Sequence, residues 1–231
     1  MNILAVKRQE IKFYINYLDY INLSRKISSV LQKDFHDSGP DGYKVRSLYF
    51  DNKSNNSYFE KISGIESRKK IRIRVYNYSN QIIKIEIKNK KNTTIIKEGF
   101  LINNEDLIDL SKGSYDCLLK YDNQTARKLY YEFIKDYYKP VILIDYIREA
   151  YSYNINNIRI TFDKKISKNE FDFTEIFRQD LEMHPVIDSR RIILEVKYDN
   201  FVPSWIKDLL QVSRFERCAI SKYTLSRYFE K

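Results

Sequence analysis

Residues 66–97 have the sequence ESRKKIRIRVYNYSNQIIKIEIKNKKNTTIIK, which contains two strands with the same alternating pattern. One side of the first strand carries Lys70, Arg72, Arg74 and Tyr76, and the other carries Ile71, Ile73 and Val75. In the second strand, the polar side has Lys84, Glu86 and Lys88, and the apolar side has Ile83, Ile85 and Ile87. Side chains on a strand alternate between its two faces, so each strand has one ionic and one apolar face. The pair is predicted to form the floor of a charged groove or tunnel.

The same ionic face recurs on other predicted strands. Its members there are Glu10 and Lys12; Lys44 and Arg46; Lys97; Tyr146 and Arg148; Arg159 and Asp163; and Glu195 and Lys197. A sheet with one solvated face would give a similar pattern and remains the alternative. Clustered arginines favour a binding surface, because Arg makes planar, bidentate contacts with phosphate oxygens. Amphipathic helices also need an apolar sheet surface, which would leave the ionic faces pointing inward.

Composition limits the classes of function. The chain has 231 residues, 43% of them hydrophobic, and a formal charge of +10, so we expect a sizeable core and an anionic partner. Only two cysteines and two histidines occur, which argues against a disulfide framework, a His-based zinc site and a classical catalytic triad. No apolar run approaches membrane-spanning length and no signal peptide is recognisable. These features predict a cytoplasmic location.

Periodicity predicts about eight to ten strands and a few helices. Strands are predicted at 8–15, 43–50, 58–62, in the central hairpin, and at 93–101, 141–153, 157–163 and 190–198, and helices at 17–33, 104–111, 124–138, 203–211 and 221–230. There is no βαβ alternation, linker or repeat. We therefore predict one α+β domain over residues 1–231, with an antiparallel sheet or barrel and helices packed outside it.

The carboxylates among the cations are candidates for a metal site. Glu10, Glu86, Asp163 and Glu195 offer oxygen ligands for Mg²⁺ or Mn²⁺. Each of them could equally be an ion-pair partner for a neighbouring Lys or Arg. Glu195 is the preferred ligand, and the other three are predicted to be structural partners.

Segments along nearly the whole chain match, in order, those of a known family. They are EIKFYI, YKVRSLYFD, YFEKISG, RKKIRIRVY, IKIEIKNKK, REAY followed by IRITFD, ILEVKYD and ISKYTLSR. The chain resembles the VTC domain, the polyphosphate polymerase domain of the vacuolar transporter chaperone type, in its stand-alone bacterial form. The resemblance implies a triphosphate tunnel metalloenzyme related to CYTH domains, with an antiparallel β-barrel, outer helices and a basic tunnel.

The resemblance also implies roles for particular residues. The phosphate-binding catalytic positions would be Lys12, Arg72, Arg74, Lys88, Lys97, Arg148, Arg159 and Lys222. Further substrate contacts would come from Tyr146, Arg46 and Lys61, and the ionic faces add Lys70 and Lys197. Glu195, in LEVK, would hold the metal. The chain departs from the family pattern at Ala219, where a basic residue is expected before ISK.

The implied activity is transfer of the ATP γ-phosphate to inorganic polyphosphate with Mn²⁺ or Mg²⁺. Such transfer needs charge neutralisation and alignment more than a protein nucleophile, which fits the lack of a persuasive Ser, Cys or His. An inorganic tri- or polyphosphatase is one alternative, distinguished by product length. A non-catalytic module that binds polyphosphate or inositol pyrophosphate is another. ATP and polyphosphate are the expected partners. The sequence is also compatible with a membrane-protein partner, whereas a nucleic-acid partner is not expected.

Overall fold

A computed structural model describes residues 8–34, 39, 41–92, 94–211 and 214–228 of the chain. The strands in this part are β1 (Arg8–Asn16), β2 (Gln32–Lys33), β3 (Tyr43–Asp51), β4 (Arg68–Tyr76), β5 (Ser79–Lys91), β6 (Thr94–Leu101), β7 (Lys139–Tyr153), β8 (Ile158–Asn169), β9 (His184–Pro185) and β10 (Arg191–Asp199). The helices are α1 (Tyr17–Ser28), α2 (Asn56–Ile62), α3 (Asn104–Lys112), α4 (Gln124–Lys135), α5 (Ser204–Leu210) and α6 (Lys222–Ser226). No helix among these residues is long and apolar enough to cross a membrane.

The strands form one large sheet in the order β1-β10-β8-β7-β3-β4-β5-β6, with β2 beside β7 and β9 beside β8. The strand pairs whose register is resolved are antiparallel, as predicted. The predicted closure into a barrel is wrong for the described residues, because β1 and β6 are the two ends of the path. Closure requires the edge strands to pair with each other, and strands with one polar and one apolar face occur in open and closed sheets alike.

The chain divides into two compact units that alternate along the sequence. The first unit comprises Met1–Tyr43, Tyr146–Ile166 and Ile187–Ile220, and the second comprises Lys44–Asp145, Ser167–Val186 and Ser221–Lys231. Each unit has its own hydrophobic core. The single domain expected from the sequence stays a prediction.

In the second unit, the core lies on one face of β3, β4 and β5. Ile71, Ile73 and Val75 of β4 are fully buried there, as are the isoleucines that alternate along β5. Helices α3 and α4 cover this face with Leu107, Leu110, Leu129 and Phe133. The opposite face is left for the polar side chains, as the alternation predicts.

In the first unit, helices α1 and α5 cover the apolar face of β1, β10 and β8. Leu23 and Ile27 of α1 and Ile206 of α5 pack with strand residues such as Leu194. Glu149 of β7 lies beneath α1 and accepts hydrogen bonds from four side chains, those of Tyr20, Ser24, Tyr151 and Lys164. The helix is thus held by both apolar packing and a buried polar network.

The sequence reading is wrong at one element and imprecise at others. Residues 58–62 are predicted as a strand but belong to helix α2, because the Asp51 carboxylate accepts hydrogen bonds from the backbone N–H groups of Ser57 and Tyr58 in its first turn. Helix α1 ends at Ser28 rather than near residue 33, and helix α4 ends at Lys135 rather than residue 138. Helix ends depend on local hydrogen bonds that apolar periodicity does not reveal.

Arg46 lies on the core side of the second unit. It pairs with Val75 across β3 and β4, and its side chain is 0% exposed. Its guanidinium donates two hydrogen bonds of 2.7 Å to Asp145 and others to the backbone oxygens of Ile176 and Arg178. The group is therefore engaged in a buried ion pair that joins β3 to β7.

Replacing Arg46 with Ala is expected to destabilise the fold, because the Asp145 carboxylate would lose its buried counter-ion. We expect the free energy of unfolding to fall by about 3–5 kcal/mol, measured by urea denaturation. The control is Arg127→Ala, since the Arg127 pair with Asp122 is exposed and is worth at most about 1 kcal/mol. A variant as stable as the wild type that had lost phosphate affinity would contradict this structural role.

Candidate functional site

The polar side chains of β3–β6 share one face of the second unit. Across the strands, Ser47 lies opposite Arg74, Tyr49 opposite Arg72, and Arg72 opposite Glu86. Lys88 lies between Lys70 on one side and Lys97 on the other. We call this surface the basic face; it comprises Ser47, Tyr49, Lys70, Arg72, Arg74, Lys84, Glu86, Lys88 and Lys97.

Glu86 lies at the centre of the basic face and is almost completely buried. Its carboxylate contacts Lys97 at 2.5 Å, Arg72 at 2.9 Å, Arg74 at 3.8 Å and Lys84 at 3.9 Å. Burial alone would raise the pKa of Glu86, but attraction to the arginines and Lys97 lowers it to about 2. One ionised carboxylate is thus shared by four cations, which leaves the face strongly positive.

Gly99 allows this arrangement because it lies opposite Glu86 on β6. A Cβ atom at Gly99 would lie 2.5 Å from the backbone oxygen of Ile85 and 3.2 Å from the Glu86 side chain. Any larger residue would therefore push β6 away from β5. The glycine keeps Lys97 of β6 close enough to contact Glu86.

Arg74 is only 8% exposed, yet its guanidinium makes few hydrogen bonds. One of its terminal nitrogens donates a long hydrogen bond of 3.4 Å to the Tyr76 hydroxyl, and its Nε has no hydrogen-bond partner among the described residues. The hydroxyl of Ser47, fully buried on the neighbouring strand, also lacks a hydrogen-bond partner within the part of the chain that the structure describes. Buried polar groups without partners are costly, and a guanidinium in this state suits an anionic ligand.

Lys97 has an unusual acidity. Burial lowers its pKa, Glu86 raises it, and repulsion from Arg72 and Arg74 lowers it again, so that the net pKa is about 8. The ammonium group is still 46% exposed and can reach a ligand from solution. An added anion would favour the protonated form and offset the repulsion.

Other predicted contacts of the second unit lie on or beside helices. Lys70 donates a hydrogen bond of 2.7 Å to the Ser221 hydroxyl and lies 5.3 Å from the ring centre of Tyr223. Lys222 begins helix α6, and Lys61 lies on α2, both half-buried.

The polar side chains of the first unit form a different surface. Across β1, β10 and β8, in that order, one row in register consists of Glu10, Lys197 and Arg159, and another consists of Lys12, Glu195 and Thr161. We call this surface the mixed face; it comprises Glu10, Lys12, Arg148, Arg159, Thr161, Asp163, Glu195 and Lys197.

Cations of the mixed face have close acidic partners. Lys12 contacts Glu10 at 2.8 Å and Glu195 at 3.3 Å, while Lys197 contacts Glu195 at 2.5 Å. Burial would lower the pKa of Lys12, but attraction to the two glutamates raises it well above its ordinary value. Lys12 therefore stays charged and is neutralised within the protein.

The two arginines of the mixed face are paired in the same way. Arg148 donates hydrogen bonds of 2.7 and 2.8 Å to the two oxygens of Asp163. Arg159 donates one of 2.8 Å to Asp34 and one of 3.1 Å to the Tyr43 hydroxyl. Tyr146, predicted beside Arg148, has its ring 5.1 Å from that guanidinium.

Most of the predicted site residues thus fall into three groups, and Lys61, Tyr146 and Lys222 lie outside them. Those of the basic face have one carboxylate among many cations, and those of the mixed face have acidic partners. Arg46 belongs to neither face, because it is enclosed in the core of the second unit. A polyanion is attracted more strongly to the basic face, where the positive charge is not neutralised.

The mixed face has the donors that a hard divalent cation needs. Glu10 and Glu195 lie on paired strands and share Lys12 and Lys197 as counter-ions. Carboxylate oxygens suit Mg²⁺ and Mn²⁺, and a cation could take the place of the ammonium group of Lys197. These two residues therefore fit the predicted metal, with Glu10 added to the expected Glu195.

A second acidic group lies in the second unit. Asp106, Asp109 and Cys117 have ligand atoms within 4.8 Å of one another. Asp106 already accepts a hydrogen bond from Tyr121 and contacts Lys120, and burial raises the pKa of Cys117 to about 11. The protonated thiol makes this group a poor match for Mg²⁺ or Mn²⁺.

Sequence reasoning missed the contribution of β3. It selected Lys44 and Arg46, whereas the odd-numbered residues Ser47 and Tyr49 face Arg74 and Arg72. Side-chain alternation places the even- and odd-numbered residues of YKVRSLYFD on opposite faces of β3. The charges of Lys44 and Arg46 favour the even-numbered face, whereas the site lies on the odd-numbered one. Only the register with β4 shows which set joins the site.

Solved structures of other proteins are similar to this chain. The structure is similar to a candidate adenylate cyclase from Bacillus halodurans, with a TM-score of 0.50, 11% identity, and 97% of this chain and 96% of that chain covered. It is also similar to a candidate adenylate cyclase from Vibrio parahaemolyticus, with a TM-score of 0.49, 9% identity, and 94% and 96% of the two chains covered. No curated protein matches the sequence. The VTC domain profile matches residues 7–229, nearly the whole chain, and the chain therefore belongs to the VTC domain family.

Proposed function

We propose that the chain is a metal-dependent polyphosphate polymerase that transfers the γ-phosphate of ATP to a growing inorganic polyphosphate chain. Membership of the VTC domain family supports a phosphate-handling enzyme. The free thiols Cys117 and Cys218 fit the cytoplasm as its location. ATP and polyphosphate are the partners in this proposal.

The observation that carries the proposal is the state of Arg74 on the basic face. This nearly buried guanidinium has a donor with no partner among residues 8–34, 39, 41–92, 94–211 and 214–228, beside a carboxylate shared by four cations. A phosphate oxygen would accept hydrogen bonds from Arg74 and from the Ser47 hydroxyl. Successive phosphates of a chain could then follow Arg72, Lys97 and Lys88, which lie on adjacent strands.

The chemistry requires alignment rather than a protein nucleophile. A terminal oxygen of the acceptor chain attacks the γ-phosphorus, and the bond from that phosphorus to the oxygen of the β-phosphate breaks. ADP leaves, and the acceptor is longer by one phosphate. The basic face would hold the phosphates in place and stabilise the negative charge on the transferred group.

A divalent cation, when bound, would neutralise part of the phosphate charge and lower the barrier to transfer. Glu195 and Glu10 of the mixed face would hold it. Lys12 and Lys197 hold both carboxylates in position in the absence of the cation.

Incubation with ATP and Mn²⁺ tests the proposed reaction. We expect long chains on a polyphosphate gel and mid-chain phosphate signals by ³¹P NMR, both abolished by EDTA because transfer depends on the metal. Orthophosphate as the sole product would identify a phosphatase instead. Tight polyphosphate binding with no turnover in Mn²⁺ or Mg²⁺ would identify a non-catalytic binding module.

The substitution Arg74→Ala tests the basic face directly. Loss of a charge-assisted contact is expected to weaken tripolyphosphate binding by about 10- to 100-fold in isothermal titration calorimetry. Arg190→Ala is the matched control, because Arg190 is exposed and pairs with Asp188 outside both faces. Unchanged affinity in a folded Arg74→Ala variant would rule out this face as the phosphate site.

The acidity of Lys97 predicts a pH dependence of binding. With a pKa of about 8, Lys97 loses its charge as the pH rises through that value, so its attraction for phosphate is lost at higher pH. Lys97→Arg stays charged over this range. Tripolyphosphate affinity, measured from pH 7 to pH 9.5, should therefore fall more steeply with pH in the wild type than in Lys97→Arg. Parallel profiles for the two proteins would contradict a contact between Lys97 and phosphate.

A further inference from the structure

Asp51, at the end of β3, is a fully buried carboxylate with an unusual number of hydrogen-bond donors around it. One oxygen accepts hydrogen bonds of 2.9 Å from the backbone N–H groups of Asn52 and Ser57. The other accepts one of 3.2 Å from the N–H of Tyr58 and one from the Tyr223 hydroxyl. Asp51 therefore joins the first turn of α2 to helix α6, near the end of the chain.

Tyr223 is held from two sides. Its hydroxyl donates to Asp51, and its ring stacks on Tyr49 with centroids 5.2 Å apart. Tyr49 also accepts a hydrogen bond from Arg72, so helix α6 is connected to the basic face. Burial, together with the nearby Asp51, raises the pKa of Tyr223 well above its ordinary value, and the hydroxyl remains a donor.

Ser221, two residues before Tyr223, contacts the basic face as well. The Ser221 hydroxyl accepts a hydrogen bond of 2.7 Å from Lys70 and one of 3.3 Å from the backbone N–H of Thr224. Farther along, Arg227 donates a hydrogen bond of 2.6 Å to Asn55 and lies 3.5 Å from Glu170. Helix α6 has only five residues, so it depends on these contacts for its position.

We propose that Asp51 and Tyr223 are a pair of positioning residues that hold Ser221 and Lys222 at the edge of the basic face, where the two residues extend the phosphate-binding surface. The inference rests on the proposed function. It adds to that function the claim that a short C-terminal segment contributes to substrate binding only while the buried carboxylate holds it.

A double-substitution experiment tests this coupling. Lys222→Ala should weaken tripolyphosphate binding about tenfold in the wild-type background, as expected for one charged contact. In a Tyr223→Phe background, which keeps the ring but removes the hydroxyl, Lys222→Ala should cost about twofold or less, because Lys222 is already displaced. The control background is Tyr228→Phe, because Tyr228 lies in the same segment and is 72% exposed. In this background, Lys222→Ala should cost the full tenfold, as in the wild type.

The outcomes separate the two proposals. Absence of tripolyphosphate binding by the wild type would overturn the proposed function itself. Wild-type binding with the same loss on Lys222→Ala in both the Tyr223→Phe and Tyr228→Phe backgrounds would overturn the positioning pair alone. A general loss of stability would not produce coupling between positions 222 and 223, and thermal melting of each variant checks its folding.

Asp51→Asn provides a second route if Tyr223→Phe does not fold. The amide keeps one oxygen as an acceptor for the first turn of α2, and its NH₂ group cannot accept from the Tyr223 hydroxyl. The charge-assisted hydrogen bond is replaced at best by a weaker, neutral one in which the hydroxyl oxygen accepts from the amide. The cost of Lys222→Ala should therefore fall clearly below tenfold in this background. A full tenfold cost there would contradict the inference.

Discussion

The sharing of Glu86 among four cations is the interaction on which the basic face depends. A single ionised carboxylate holds Arg72 and Lys97 in short contacts but lies 3.8 Å or more from Arg74 and Lys84. Without Glu86, repulsion among these cations would force them apart. With it, they stay together and remain positive as a group. The protein thus maintains a charge imbalance that an anion from solution can relieve.

The fold maintains this imbalance by separating polar from apolar side chains across the sheet. In the second unit, α3 and α4 cover one face of β3–β5, and the cations lie on the other. The first unit uses α1 and α5 in the same way but pairs its cations with acids. One structural plan therefore gives two surfaces of different chemistry, one suited to phosphate and the other to a divalent cation.

Alternation along single strands was enough to predict the sheet, the helices outside it and most of the basic face. Arg72, Arg74 and Glu86 could be placed because their strands alternate strictly between charged and aliphatic residues. Charge alone predicts that Arg46 lies on the polar face, yet it is buried against Asp145, which lies 99 residues farther along the sequence. The roles of Ser47 and Asp51 depend likewise on strand register and on contacts distant in sequence, which no local pattern contains. The VTC resemblance indicated the family, whereas the difference in charge between the two faces came only from the three-dimensional contacts.

The most direct test is a crystal structure of the chain with tripolyphosphate and Mn²⁺. A phosphate oxygen within hydrogen-bonding distance of the Arg74 Nε and the Ser47 hydroxyl, with further phosphates along Arg72 and Lys97, is the predicted result. Tripolyphosphate bound elsewhere, with no phosphate oxygen near Arg74, would contradict the claim that the basic face is the phosphate site.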